Sequence, residues 1–129
     1  MSLFNVFSIS GTGMSAQSVR LNTTASNIAN ADSVSSSVDK TYRARHPVFA
    51  AEMQNESVGV QVLGVVESNK PLNVEYAPDH PMADGEGYIY KPNVNVIEEM
   101  TNMISASRSY QTNVQLAESA KNMLNKTLT

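Results

Sequence analysis

The chain has 129 residues, of which 41% are hydrophobic and only 16% charged, with a net charge of −3 and no Cys or Trp. That length suits one ordinary domain, with or without extended arms. The missing cysteine excludes a disulfide framework, a thiolate zinc site, iron–sulfur ligation and a Cys nucleophile. The mild acidity argues against a general nucleic-acid-binding face.

The first ten residues carry no basic n-region and no clear small-residue cleavage site, so a cleaved secretory signal is not expected. No apolar run approaches the ~18 residues that would span a bilayer. The low overall charge raises a question of its own: what covers the surface of such a chain?

Residues 1–31 contain a single charged side chain, Arg20. Phe4, Phe7, Met14, Leu21, Ala25 and Ile28 recur at three–four spacing, and the same register includes Gly11 and Ser18. This is the narrow stripe of a helix that packs along a seam. The other faces hold Ser, Thr, Asn and Gln rather than Lys and Glu, which suits burial among neighbouring helices. Gly11 and Gly13 each cost roughly 1 kcal/mol against Ala in a helix interior. Either the helix starts near Gly13, or the glycines admit a second backbone. The spacing predicts a helix from about residue 5 to residue 30.

Residues 32–92 read differently. A Ser-rich loop, Asp32 to Val38, comes first. Thr41 to Arg45 alternates weakly, and Pro47 to Ala50 could extend it as a strand. Val58 to Val66 is rich in β-branched residues and is the clearest strand. Pro71 to Tyr76 alternates Leu72, Val74 and Tyr76 on one face. Asp84-Gly-Glu-Gly87 reads as a turn before a short strand, Tyr88 to Tyr90. A sheet this small is marginal without helix packing.

Residues 93–129 follow Pro92. Asn95 with Glu98 resembles a capping box, and Glu98 and Glu99 suit the positive end of a helix dipole. One stripe contains Val96, Met100, Met103, Ser107, Tyr110, Val114, Ala117, Lys121, Leu124 and Leu128. A helix over about 96–127 would be roughly 48 Å long. The fold class expected is α+β: long N- and C-terminal helices form a coiled-coil-like stalk, with a small antiparallel β insertion between them. The chain divides as 1–31, 32–92 and 93–129.

No candidate chemistry survives inspection. Gly11-Thr-Gly13-Met-Ser-Ala16 matches a dinucleotide-binding pattern, but no βαβ unit surrounds it. His46 and His80 have no second ligand at helical spacing. Asp79, Asp84 and Glu86 around Gly85 suggest a calcium loop, yet aligning that glycine puts Lys91 where the bidentate glutamate belongs. Tyr42, Arg43 and Arg45 could touch phosphates, but the plainer reading is a solvated strand. The methionines, notably Met100, Met103 and Met123, read as seam fillers. No catalytic residue, metal site or cofactor is expected.

Specific strings resemble a known family. Leu21-Asn-Thr-Thr-Ala-Ser-Asn-Ile-Ala-Asn30 resembles the N-terminal motif of the flagellar rod, hook and hook-associated axial proteins. Pro92 to Asn113 closely resembles the basal-body rod members of that family, as do Asn30 to Val34 and Gly87-Tyr-Ile89. The family's motif runs on from Asn30 into a short Thr-x-Gly-Tyr stretch. Here a longer Ser-rich loop intervenes before Tyr42-Arg43.

The resemblance implies a structural subunit of the proximal rod, exported by the flagellar type III apparatus without signal cleavage and assembled in the periplasmic space. Its terminal helices would form a coiled-coil inner domain lining the export channel, with the β region further out. The partners implied are copies of the chain, other rod proteins and the membrane-ring and export-gate end of the basal body. No enzyme activity, small-molecule substrate, nucleic acid or membrane span is implied. Phe4, Phe7, Met14, Leu21 and Ile28 are expected to pack on Met100, Met103, Tyr110, Val114 and Leu124, within or between subunits. Asn27 and Asn30 are expected to cap the first helix or to hydrogen-bond a neighbour's backbone. The other reading is a cytoplasmic helical adaptor that binds one partner helix and forms no filament.

Overall fold

The structure, a computed structural model, describes residues 3–54 and 57–128. Leu3 to Ala29 contains no proline and folds as one continuous helix, α1, running straight through Gly11 and Gly13. A single 3-10 turn, Val38–Lys40, follows. Two long strands, β1 (Arg45–Gln54) and β2 (Ser57–Glu67), form an antiparallel hairpin. Two short ones, β3 (Asn73–Tyr76) and β4 (Tyr88–Lys91), form a second antiparallel pair. Helix α2, Val96–Leu128, closes the chain.

The expected α+β arrangement is therefore what the chain adopts. The two helices start and stop within two residues of the sequence-based limits. Strand β1 lies further along the chain than expected: it takes in Pro47 to Ala50 but runs on to Gln54 and leaves out Thr41 to Ala44. Helix α2 begins as its sequence suggested: Asn95 Oδ1 accepts the N–H groups of Ile97 (3.1 Å) and Glu98 (3.3 Å), satisfying two orphan donors of the first turn.

The helices lie antiparallel. Glu99 sits opposite Asn27, and Asn113 sits opposite Gly13, so fourteen residues along one helix match fourteen along the other. Two heptads fit that interval, as coiled-coil packing requires. Helix α2, at about 50 Å, is longer than α1, at about 40 Å.

The seam between them is built from small and polar residues. On α1 the buried positions are Ser10, Gly13, Ala16, Thr24 and Asn27; on α2 they are Glu99, Ala106 and Ala120. Small side chains let the backbones approach closely. A Cβ on Gly13 would lie 2.9 Å from the Asn113 amide nitrogen, whereas one on Gly11 would meet nothing. Of the two glycines, only Gly13 admits its neighbour.

The hairpin lies along α1. At one end Asn27 bonds to Arg45; at the other, Thr12 Oγ1 accepts the Val60 N–H at 3.1 Å and donates to Ile9 O at 2.8 Å. Leu63 is an extra residue in β2, because Val48 pairs with Gly64 while Phe49 pairs with Val62. Such a bulge bends and twists a ribbon.

Candidate assembly interface

The elements of the chain meet at Asn27, which is fully buried. Its Nδ2 donates to Arg45 O (2.8 Å) and Glu99 Oε2 (3.0 Å). Its Oδ1 accepts from Tyr42 Oη (2.7 Å) and from Arg45 N–H (2.9 Å). One amide thus uses both donors and both acceptor directions. Toward Arg45 it acts as a peptide group would in a strand ladder. It ties α1, the loop, β1 and α2 together at one point. Tyr42 Oη also lies 2.9 Å from Ser26 Oγ, and the Arg45 guanidinium stands 5.3 Å from the Tyr42 ring centre.

The sequence treated Tyr42, Arg43 and Arg45 as a solvated strand. The structure corrects this. Arg43 Nη1 donates to Ser68 O and Lys70 O, both at 3.3 Å. Asn93 spans the same loop: its Oδ1 accepts the Ala44 N–H and its Nδ2 reaches Lys70 O, both at 2.8 Å. These side chains hold the base of the hairpin against the start of α2.

Asn30 stands at the end of α1. Its Nδ2 donates to Ser26 O at 2.8 Å, a carbonyl that also accepts the Asn30 backbone N–H at 3.0 Å, so one residue bonds it twice. Asn27 is placed inside the chain rather than on a face offered to a neighbour. Its influence on any neighbour runs through the elements it positions.

The apolar stripes fall elsewhere. Met14 and Ile28 each stand one residue beyond seam positions Gly13 and Asn27, and Leu21 lies midway between them at heptad spacing. On α2, Met100 and Val114 stand one beyond Glu99 and Asn113. One residue is a rotation of 100°. Because the helices run in opposite directions, that rotation carries both stripes to the same side of the pair. The stripes therefore share one face instead of forming the centre of the seam. Phe4 is 70% exposed, Met100 52% and Tyr110 38%. Phe7, Met14, Leu21, Ile28, Met103, Val114 and Leu124 are half-buried.

Two exposed isoleucines were missed: Ile97 and Ile104, seven residues apart on the far side of α2. Their heptad spacing was the available signal. The hairpin also exposes Met53, Leu63, Val65 and Val66.

The β3–β4 pair carries the shifted titrations. Lys91 Nζ lies 2.9 Å from Glu75 Oε2, and that bond holds the Glu75 carboxyl below its ordinary range while raising Lys91. Asp84 is lowered chiefly by the Tyr88 N–H, then by the Glu86 N–H and the Tyr90 hydroxyl; Tyr90 is raised by its bond to Asp84. Glu75 ties β3 to β4, and Asp84 ties the turn before β4. The Asp84 oxygen accepts from Glu86 and Tyr88 N–H, which closes the loop that the sequence offered as a calcium candidate. Likewise His80 Nδ1 accepts the Met82 N–H.

Two family profiles match the chain. One, described as the C-terminal part of flagellar basal body rod FlgEFG proteins, covers residues 86–129; the other, the flagella basal body rod protein, covers residues 7–35. These are the two helices and the residues adjoining them. The flagellar basal-body rod protein FlgC of Salmonella typhimurium is 47% identical over 131 residues, spanning 100% of this chain and 98% of its own length. That identity over full length decides the family. The chain belongs to the FlgC family of flagellar basal-body rod proteins. Among FlgC relatives, that of Yersinia enterocolitica is 48% identical with the same coverage. The FlgC of Buchnera aphidicola from Acyrthosiphon pisum is 44% identical over 133 residues, again spanning 100% of this chain. Relatives of FlgC thus match through the β region as well as the helices, so the Asn27 junction lies within the shared length.

Proposed function

We propose that this chain is a structural subunit of the flagellar basal-body rod. Its terminal helices pack beside those of neighbouring subunits, and the rod so formed transmits torque and encloses the export channel. The neighbours are further copies and related rod proteins, with the membrane-ring and export-gate end of the basal body below. The chain reaches that periplasmic site through flagellar export without a cleaved signal.

The observation that carries this reading is the uncovered apolar face. A compact monomer of 14.0 kDa is expected to expose about 6,700 Å². This chain exposes 8581 Å², roughly 1,900 Å² more. A standard interface takes about 800 Å² from each partner. The excess therefore exceeds two such interfaces, which suits a subunit with neighbours on more than one side. The stripes on one side of the helix pair, and Ile97 and Ile104 on the far side of α2, supply apolar surface in two directions. The low charge that the composition revealed belongs to surfaces of this kind.

Complementation tests the reading. A flagellated bacterium lacking its own rod subunit of this family, supplied with this chain, should regain rods in electron micrographs and swim in soft agar. Charged substitutions at Met14 and Met100, on the shared face, should abolish both while leaving helix content unchanged. Restored swimming by the doubly charged variant would overturn the assignment of that face.

A further inference from the structure

Two-stranded sheets have two edges each, so the two sheets among the described residues have four. Each edge presents backbone N–H and C=O groups that need partners. The hydrogen bonds at the margins show which groups point outward, because alternate residues of a strand face opposite edges.

For β1 the parity is fixed twice. Both Arg45 backbone groups are taken by Asn27, so Arg45 points away from β2. The Ser68 N–H donates to Ala44 O, so residue 44 points toward β2. Residues 45, 47, 49, 51 and 53 therefore face outward. The Val60 N–H, which reaches Thr12 instead of β1, confirms this, since Val60 lies opposite Ala51. For β4, Tyr90 exchanges both bonds with Ser35 on its outer side, at 2.9 Å each. Its partner Val74 must then face outward from β3, and so must Tyr76. The Ala77 N–H to Gly87 O bond agrees with that phase.

The β4 edge is covered by Ser35, and α1 reaches the β2 edge at one point, where Thr12 takes the Val60 N–H. The β1 and β3 edges each keep an open stretch. On β1, Asn27 occupies Arg45 and Pro47 has no N–H to offer, a position proline tolerates because it faces outward. That leaves Phe49, Ala51 and Met53. On β3 the open groups are those of Val74 and Tyr76. Among the described residues no bond reaches either stretch. Beside the β1 edge, Phe49, Ala51, Val58 and Val60 form a shallow, mainly apolar cleft with Gln17. An open edge next to an apolar cleft is the arrangement that receives an added strand: main-chain bonds hold it and alternate side chains enter the cleft.

We propose that the open edge of β1 receives β3 of a second copy of this chain, joining two pairs of strands into one four-stranded sheet across a subunit contact. Several features favour β3 as the occupant. It is itself an open edge. Its length of four residues fits the stretch 49–53. Its side chains Val74 and Tyr76 are 55% and 64% exposed, which supplies apolar groups for the cleft. The contact is head-to-tail, since a different edge is used on each side, and such contacts propagate instead of closing. A β1–β1 pairing about a two-fold axis would close into a dimer. The open-ended requirement rests on the rod-subunit reading; the strand pairing itself does not.

Cross-linking and proline substitution test the pairing. The chain has no cysteine, so introduced thiols are the only ones present. Equal amounts of the A51C and V74C proteins are mixed at high concentration and oxidised mildly. A mixed disulfide dimer well beyond the twofold excess over each homodimer that random pairing gives is expected, and a ratio at or below twofold would count against the pairing. Only homodimers, or no dimer, would overturn the proposal. Separately, A51P removes an outward N–H and leaves the hairpin ladder intact, as Pro47 already does. Circular dichroism should match the parent chain, while self-association weakens about tenfold for the lost bond. Unchanged association by folded A51P would also overturn it, and the thiol pair decides if A51P fails to fold. The rod reading fails separately: the unmodified chain would then not restore rods even though the mixed dimer forms.

Discussion

Replacing Asn27 by Ala removes four hydrogen bonds of 2.7 to 3.0 Å from a fully buried site. Tyr42 keeps Ser26 as a partner, at 2.9 Å. The Arg45 N–H and C=O and the Glu99 carboxylate, which is 3% exposed, lose their bonds to Asn27. Each buried group left unsatisfied costs about 1–3 kcal/mol, so the expected loss is about 3–5 kcal/mol after partial relaxation. A chain of this length holds roughly 6–19 kcal/mol in all. The loss should lower the urea midpoint by about 2 M at a slope near 2 kcal/mol per M. Shape and charge can be separated. N27D keeps the acceptor for Tyr42 and Arg45 but turns a carboxylate oxygen toward Glu99, so it should be as damaging as N27A. E99Q alone should be nearly silent, because its oxygen can still accept from Asn27. Combined with N27D it should recover part of the loss, its amide donating where Asn27 once did. A midpoint change below about 0.5 M for N27A would refute this account of the junction.

Other consequences can be measured independently. Ala at position 13 gains about 1 kcal/mol of helix propensity but meets the Asn113 side chain, so G13A should be near neutral alone. In an N113A background it should stabilise by about 1 kcal/mol, read as a higher thermal midpoint. G87A should destabilise by about 1–2 kcal/mol in denaturant titration, since Gly87 has φ of 87° and its Cβ would lie 3.0 Å from the Tyr76 ring. The Asp84 turn should respond to acid. Because folding lowers that carboxyl, mainly through the Tyr88 N–H, its contribution is present above the ordinary value of 3.8 and is lost as pH falls through the lowered one. Amide exchange at Glu86 and Tyr88 should quicken in that acid window and be insensitive to it in D84N.

Much of the architecture was legible in the sequence because it is local. Asn95 announced the start of α2 through groups two and three residues away, and the β-branched run Val58 to Val66 announced β2. The register of the helix seam was not legible. A stripe search ranks positions by apolarity and so finds Met14, Leu21 and Met100. The chain packs its helices through Ser10, Gly13, Ala16 and Ala106, whose value lies in being small. The seam and the stripe differ by a single residue, which a periodicity argument cannot separate. The Asn27 junction was invisible for another reason. Its bond to Glu99 links positions 72 residues apart, and nothing in either local pattern names the other. The far end of β1 was missed because Ala51, Glu52, Met53 and Gln54 include no β-branched or aromatic residue to mark a strand.

The composition of the seam has a mechanical consequence. Rows of Ala, Gly and Ser present a smooth rail: shifting one helix past the other exchanges one small contact for a similar one, so packing alone resists axial slip weakly. Directional bonds behave otherwise, since an amide held by four partners has no equivalent place one turn along. Asn27 and Glu99 act as a dowel at one end of the rail, and the Gly13 notch filled by Asn113 acts as a detent four turns away. A twisting load on the helix pair would be borne at those two points, with the smooth stretch between them free to flex.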